Sequence, residues 1–192
     1  MGNDPWLDKW LALIQRKSAG RYVVELGCGY GWDTTILLSA GCKVLAADIS
    51  KENLAKCAKS VRGAQWIQLD NSQPLPFASR SLAVIVASLS LHYFSWDVTM
   101  RIASELKRCL QADGVLLARF NSTHDYHYGA SSGVEIEPNF YQVEMGTKRF
   151  FDEDSVRRFL EGWGIQFLEE NVIQRYEEPK SVWEAMAVCS SR

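Results

Sequence analysis

The chain has 192 residues, 47% of them apolar and 23% charged, with a formal net charge of −2 at pH 7. That is enough for one domain with a full hydrophobic core and short for two. The near-neutral charge gives no general pull toward nucleic acid or an anionic membrane surface, so neither is expected as a partner.

The five cysteines (Cys28, Cys42, Cys57, Cys109 and Cys189) form no C-x-x-C pair and no cluster with His. Free thiols in a reducing compartment and no metal site are therefore expected. Asp4, Asp8 and Lys9 interrupt any apolar leader, and the longest apolar run, "SLAVIVASLSL", is about half a membrane span. A cytoplasmic protein is the expectation.

Asp4-Pro5 predicts a helix start, with Asp as N-cap and Pro in the first turn. Trp6, Trp10, Leu13 and Ile14 then recur at helical spacing up to Lys17, and Gly20 ends the segment. "RYVVEL" reads as a short strand. Gly27, Gly29 and Gly31 follow it, then a helix from about Trp32 to Ala40 closed by Gly41. "KVLAAD" is a second strand, Lys51 to Ser60 a helix, and "AQWIQL" a third strand ending at Asp70. Pro74 and Pro76 make 71–80 a loop. "SLAVIVAS" is an almost wholly apolar run, the pattern of a central parallel strand covered on both faces. Ser95 predicts the cap of a helix carrying Val98, Ile102, Leu106 and Leu110 and ending at Asp113-Gly114, before a fifth strand, "VLLARF".

Residues 121–150 show no convincing period and are rich in Tyr, His, Ser, Gly and Asn. They read as an acceptor-side insertion or lid, since unstructured stretches of that length inside a compact domain are usually functional. Asp152 to Leu160 predicts a helix, acidic at its start and basic near its end. "IQFLEENVIQRY" and "VWEAMAVC" alternate like two antiparallel strands. The whole, 1–192, is expected to be a single α/β domain. Its fold is Rossmann-like and doubly wound, a mostly parallel seven-stranded sheet with an antiparallel C-terminal hairpin.

In such folds ligands sit beyond the carboxyl ends of the strands. The glycines fall there after strand 1, Asp48 ends strand 2, and Asp70-Asn71 ends strand 3. Together they trace an adenosine: Asp48 is placed to accept from ribose hydroxyls, Asp70 or Asn71 to meet an adenine amino group. The spacing is G-x-G-x-G, with Trp32 where a dinucleotide fingerprint has its third glycine. Glu25 just before the loop suits a cationic ligand better than a pyrophosphate. Adenosine, no phosphates and an amine describe S-adenosylmethionine. An NAD-dependent oxidoreductase would use Asp48 equally well; its other support, the Y-x-x-x-K match "YEEPK" (176–180), is broken by Pro179. A non-catalytic module binding S-adenosylmethionine is the third reading.

"VVELGCGYG" resembles motif I of the class I S-adenosylmethionine-dependent methyltransferases, and "LQADGVLLARF" is similar to their fifth-strand region. Within that superfamily the ending "KRFFDEDSVRRFLEGWGIQFLEENVIQRY" resembles the small tellurite-resistance-type enzymes, with Gln174-Arg175 where those carry His-Arg. The resemblance implies in-line methyl transfer to a small-molecule acceptor. It implies that Glu25, Gly27, Cys28, Gly29 and Gly31 hold the methionine moiety, and Asp48 with Ile49 the ribose side. Asp70 and Asn71 would contact the adenine, and Ser88 and Leu89 the sulfonium side. His92, just after strand 4, is the candidate general base. Tyr93, Asn121, Tyr126, Tyr141 and Arg175 are the candidate acceptor contacts. For Asp70 and for the aromatic residues of the insertion, ordinary turn and packing roles are equally natural.

Overall fold

The computed structural model describes residues 4–144, 146–174 and 176–190. The first helix begins later than Asp4-Pro5 predicts. A 3-10 turn over Asp8–Trp10 leads into α1 (Leu11–Ser18), because Arg119 engages the Asp4 carboxylate, which therefore does not cap a helix. β1 (Tyr22–Leu26), α2 (Trp32–Ser39), β2 (Lys43–Asp48), α3 (Lys51–Ser60) and β3 (Gln65–Gln68) follow as expected. Ser50 caps α3, its hydroxyl accepting from the Asn53 N–H, as a short polar side chain does at that position. β4 (Leu82–Ser88) is the apolar central strand.

α4 (Trp96–Cys109) stops four residues before Asp113, and β5 (Leu110–Asn121) begins at once. Leu110 pairs with Leu82, so the Asp113-Gly114 corner lies inside the strand and does not end the helix. The expected cap is also replaced. Ser95 makes no side-chain cap bond; the Trp96 N–H donates instead to the Glu137 carboxylate at 2.8 Å.

Glu137 belongs to the insertion, which is folded. β6 (Val134–Glu137), β7 (Phe140–Val143) and β8 (Gly146–Arg149) form a three-stranded antiparallel sheet around Ala130, Tyr141 and Phe150. Four-residue strands with an irregularity between Glu135 and Glu137 never repeat long enough to show a period of two. α5 (Glu153–Phe159) starts with a reciprocal Asp152–Ser155 capping box. β9 (Gly164–Ile173) and β10 (Lys180–Val188) close the main sheet.

The seven strands order as β3-β2-β1-β4-β5-β10-β9. The first five pair in parallel, and β10 is antiparallel to both of its neighbours, which makes the expected C-terminal hairpin. One core packs Ile85, Leu106, Leu116, Phe120 and Phe159 on one face. A second packs Trp6, Ile14, Val44, Val84 and Leu117 on the other. The strand order reverses between β1 and β4, so the crevice at their carboxyl ends is where such a sheet offers a ligand site.

Candidate functional site

Three left-handed glycines turn the chain from β1 into α2: Gly27 at φ +75°, Gly29 at +53° and Gly31 at +76°. A Cβ on Gly27 would stand 2.2 Å from the Ser90 Cβ, so only glycine lets the loop approach β4. At Gly29 an added Cβ meets nothing within 4 Å, because that face is open. The Gly29 N–H donates to Asp48 Oδ2 and the Ser50 N–H to Asp48 Oδ1, both at 2.8 Å. Asp48 thus ties the loop to the start of α3 while lying at the carboxyl end of β2. Glu25 is buried and accepts from the Thr34 hydroxyl.

A cleft of about 1020 Å³ opens at this point. Every sequence-derived cofactor residue lines it: Glu25, the loop 27–31, Asp48, Ile49, Asp70, Asn71, Ser88 and Leu89. Ile49 is 63% exposed, an apolar side chain presented to the cleft and not to the core. Asp70 spends Oδ1 on the Ser72 N–H and hydroxyl, so the turn role is real as well. Leu89 adopts φ +53°, a strained conformation for leucine, held by its N–H to the Arg119 carbonyl. Trp32 is 47% exposed and lines the cleft, so its indole does not sit between helix and strand. Gly31 is the position facing α3, with Cys57 Sγ 3.3 Å from where its Cβ would be.

Of the acceptor-side candidates, Tyr93 lines the cleft; Tyr126 is 64% exposed and does not. Tyr141 is a correction: it is buried in the core of the insertion sheet, beside Phe150. Asn121 is fully buried and away from the cleft surface, with neither amide atom hydrogen-bonded among the described residues. Arg175 lies outside the described residues. His92 is a second correction. It is buried rather than exposed to the cleft, its Nδ1 has no partner, and burial with the fields of Lys180 and Lys148 holds its pKa well below 6.5. A neutral imidazole so reluctant to take a proton is a poor general base. Burial, then Glu25 and Asp48, push the Cys28 thiol far up, so it stays protonated and unreactive.

The sequence reading missed Arg119. It is fully buried on β5, its Nε donating to Ser88 Oγ at 2.9 Å and its Nη1 to Asp4 Oδ2 at 2.6 Å, with the guanidinium 4.5 Å from the Trp6 ring centroid. Asp4 and Ser88 both line the cleft, so Arg119 supports its wall from behind. A lone charge inside "VLLARF" was the available signal. Asp33, Phe94 and Tyr176 complete the wall. Tyr176 and Lys180, the Y-x-x-x-K pair, stand at a bend and a strand start, where no helix aligns them. Among the described residues no group of His, Cys, Asp and Glu is arranged to hold a metal, and no helix is long and apolar enough to cross a membrane.

Comparison with known proteins agrees with this geometry. Residues 24–118 match the family model described as a methyltransferase domain. The malonyl-[acyl-carrier protein] O-methyltransferase of Enterobacter lignolyticus (strain SCF1) is 30% identical over 107 residues, which are 55% of this chain and 41% of that one. The trans-aconitate 2-methyltransferase of Acidovorax sp. (strain JS42) is 30% identical over 109 residues, 56% of this chain and 41% of that one. The aligned part thus spans less than half the length of these curated relatives. The crystal structure of an S-adenosylmethionine-dependent methyltransferase from Methanosarcina mazei superposes with a TM-score of 0.79 at 16% identity, covering 94% of this chain and 98% of that one. Residues 24–118 thus resemble a methyltransferase domain, and the whole fold is that of solved S-adenosylmethionine-dependent methyltransferases.

Proposed function

We propose that the protein catalyses transfer of the methyl group of S-adenosylmethionine to a small-molecule acceptor. The observation that carries this reading is a single cleft that joins two unlike halves. One half is the polar strand-end set Glu25, Gly29, Asp48 and Asp70; the other is the apolar wall of Leu89, Tyr93, Phe94 and Tyr176. In this reading Glu25 and the loop 27–31 receive the methionine moiety and Asp48 the ribose. Ile49 packs on the adenine, near Asp70 and Asn71, and Ser88 and Leu89 lie at the sulfonium. The open side of Gly29 is where a ligand backbone approaches closely.

The bound cofactor supplies a methyl group already activated by a sulfonium. The protein's part is to align an acceptor and exclude water, and alignment of this kind is worth up to about 7–11 kcal/mol. A base is needed only where the acceptor carries a proton at working pH, and an acceptor that arrives ionised does not call on His92. The relatives named for malonyl-[acyl-carrier protein] and trans-aconitate support a small acceptor group. The net charge of −2 adds no general pull toward a nucleic-acid backbone.

The test is incubation with methyl-labelled S-adenosylmethionine and a panel of small acceptors, reading S-adenosylhomocysteine release. Acceptor-dependent release is expected. Tight cofactor binding with no release across the panel would leave a non-catalytic binding module.

A further inference from the structure

Behind the aromatic wall of the cleft, the insertion sheet and the end of β10 bring two ammonium groups to one ring. Lys180 Nζ lies 4.7 Å and Lys148 Nζ 5.7 Å from the centroid of Tyr128. The Tyr128 ring in turn lies 5.6 Å from that of Tyr176, which faces the cleft. Three buried cations of this half each have a carboxylate: Arg119 has Asp4, Lys180 has Asp125 and Arg149 has Glu137. Lys148 is half-buried and has none among the described residues. Its ammonium donates to the Tyr128 carbonyl at 2.6 Å and lies 5.3 Å from the Phe150 ring centroid, with Asp125 acting on it through space.

Unpaired polar atoms gather in the same region. Asn121 pairs with Val182, two residues from Lys180, so alternation puts both side chains on one face of the sheet, together with Arg119. Neither amide atom of Asn121, nor Arg119 Nη2, nor His92 Nδ1 has a partner among the described residues, and all are buried. His92 stacks on Tyr93, with centroids 4.2 Å apart, and Tyr93 lines the cleft. A cation without an ion-pair partner and the unsatisfied donors Asn121 Nδ2 and Arg119 Nη2 are each costly when buried, and an anion would offset both.

We propose that the methyl acceptor carries a carboxylate, received by the ammonium of Lys148 behind Tyr93 and Tyr176, with Lys180 and Asn121 alongside. The inference rests on the methyltransferase reading and names the substrate class of its acceptor side. The Tyr176 and Tyr128 rings, which link the cleft to Lys148, favour an organic acid, since rings contact a carbon skeleton better than a bare inorganic oxyanion.

Lys148 also gives the site a pH signature. Burial and the neighbouring Lys180 lower its pKa to about 8, with Asp125 opposing. The groups facing it are Lys180 from β10, Asp125 and Tyr128 from the segment after β5, and His92 from the loop after β4. The ammonium form binds the anion, so affinity falls as pH rises through about 8.

The test is a calorimetric titration of protein saturated with S-adenosylhomocysteine, using malonate, uncharged malonamide and selenite as probes. Malonate is expected to bind and malonamide not. Lys148→Met should weaken malonate at least about tenfold, while Lys148→Arg keeps most of the affinity. Unchanged affinity for S-adenosylhomocysteine shows that each variant is folded. Malonate binding that is absent, insensitive to Lys148→Met or matched by malonamide overturns the proposal, and so does binding of selenite alone. Failure to bind S-adenosylhomocysteine at all would instead overturn the donor-site reading beneath it.

Discussion

A Cβ on Gly27 would meet the Ser90 Cβ at 2.2 Å, while one on Gly29 meets nothing within 4 Å. Gly27→Ala should therefore cost about 2–4 kcal/mol of stability, through overlap and a positive φ together. Gly29→Ala should cost only about 1–2 kcal/mol, yet weaken cofactor binding at least about tenfold, because its new methyl group enters the ligand's space. Urea unfolding beside a cofactor titration separates the two; equal losses of stability would contradict the assignment. His92 carries a pH prediction. The unfolded chain protonates it near pH 6.5, and the folded protein only well below that. Below pH 6.5 the unfolded state thus holds more protons, so stability falls as pH falls, by up to about 1.4 kcal/mol per unit. His92→Asn should lose less stability between pH 7 and 5 than the parent does; an identical loss would exclude His92 as the source. At this scale the glycines, Asp48 and Glu25 were legible, because one strand end and its turn fix them locally. The burial of His92 was not, because β8 covers it from a distance, the Arg149 N–H donating to the His92 carbonyl at 2.7 Å.

Among the elements, α4 depends on the insertion for its first turn. Glu137 accepts from the Trp96 N–H and pairs with the buried Arg149. Glu137→Ala leaves an N-terminal donor without its cap and a buried guanidinium without its carboxylate. A loss of about 3 kcal/mol is expected in urea unfolding. An unchanged midpoint would mean that the insertion sheet packs on the domain without supporting it. β2, β4 and β5 were readable because their runs of four to six apolar residues signal burial on both faces. β6, β7 and β8 were not, being short and irregular, and Tyr141 was misassigned for that reason: without a register, its inward direction had no signal. Ser95 looked like a cap by residue type, and only the fold could bring Glu137, 41 residues from Trp96, to take the position.

For the whole molecule, the order β3-β2-β1-β4 leaves a crevice at the strand ends, walled on its far side by Tyr93, Phe94 and Tyr176. The proposed donor half comes from residues 25–89 and rests on positions traced from sequence. The proposed acceptor half joins Tyr93, Lys148, Tyr176 and Lys180 across more than eighty residues of chain, brought together by the pairing of β5 with β10 and by the contact of β8 with the loop after β4. The central claim is that the crevice holds S-adenosylmethionine through Asp48, and it is tested most directly by calorimetric titration of the parent and of Asp48→Ala, with NAD as control. Micromolar affinity in the parent, no NAD binding, and at least about tenfold weaker binding in a still-folded variant are predicted. Equal affinity of the two proteins, or preference for NAD, would contradict it.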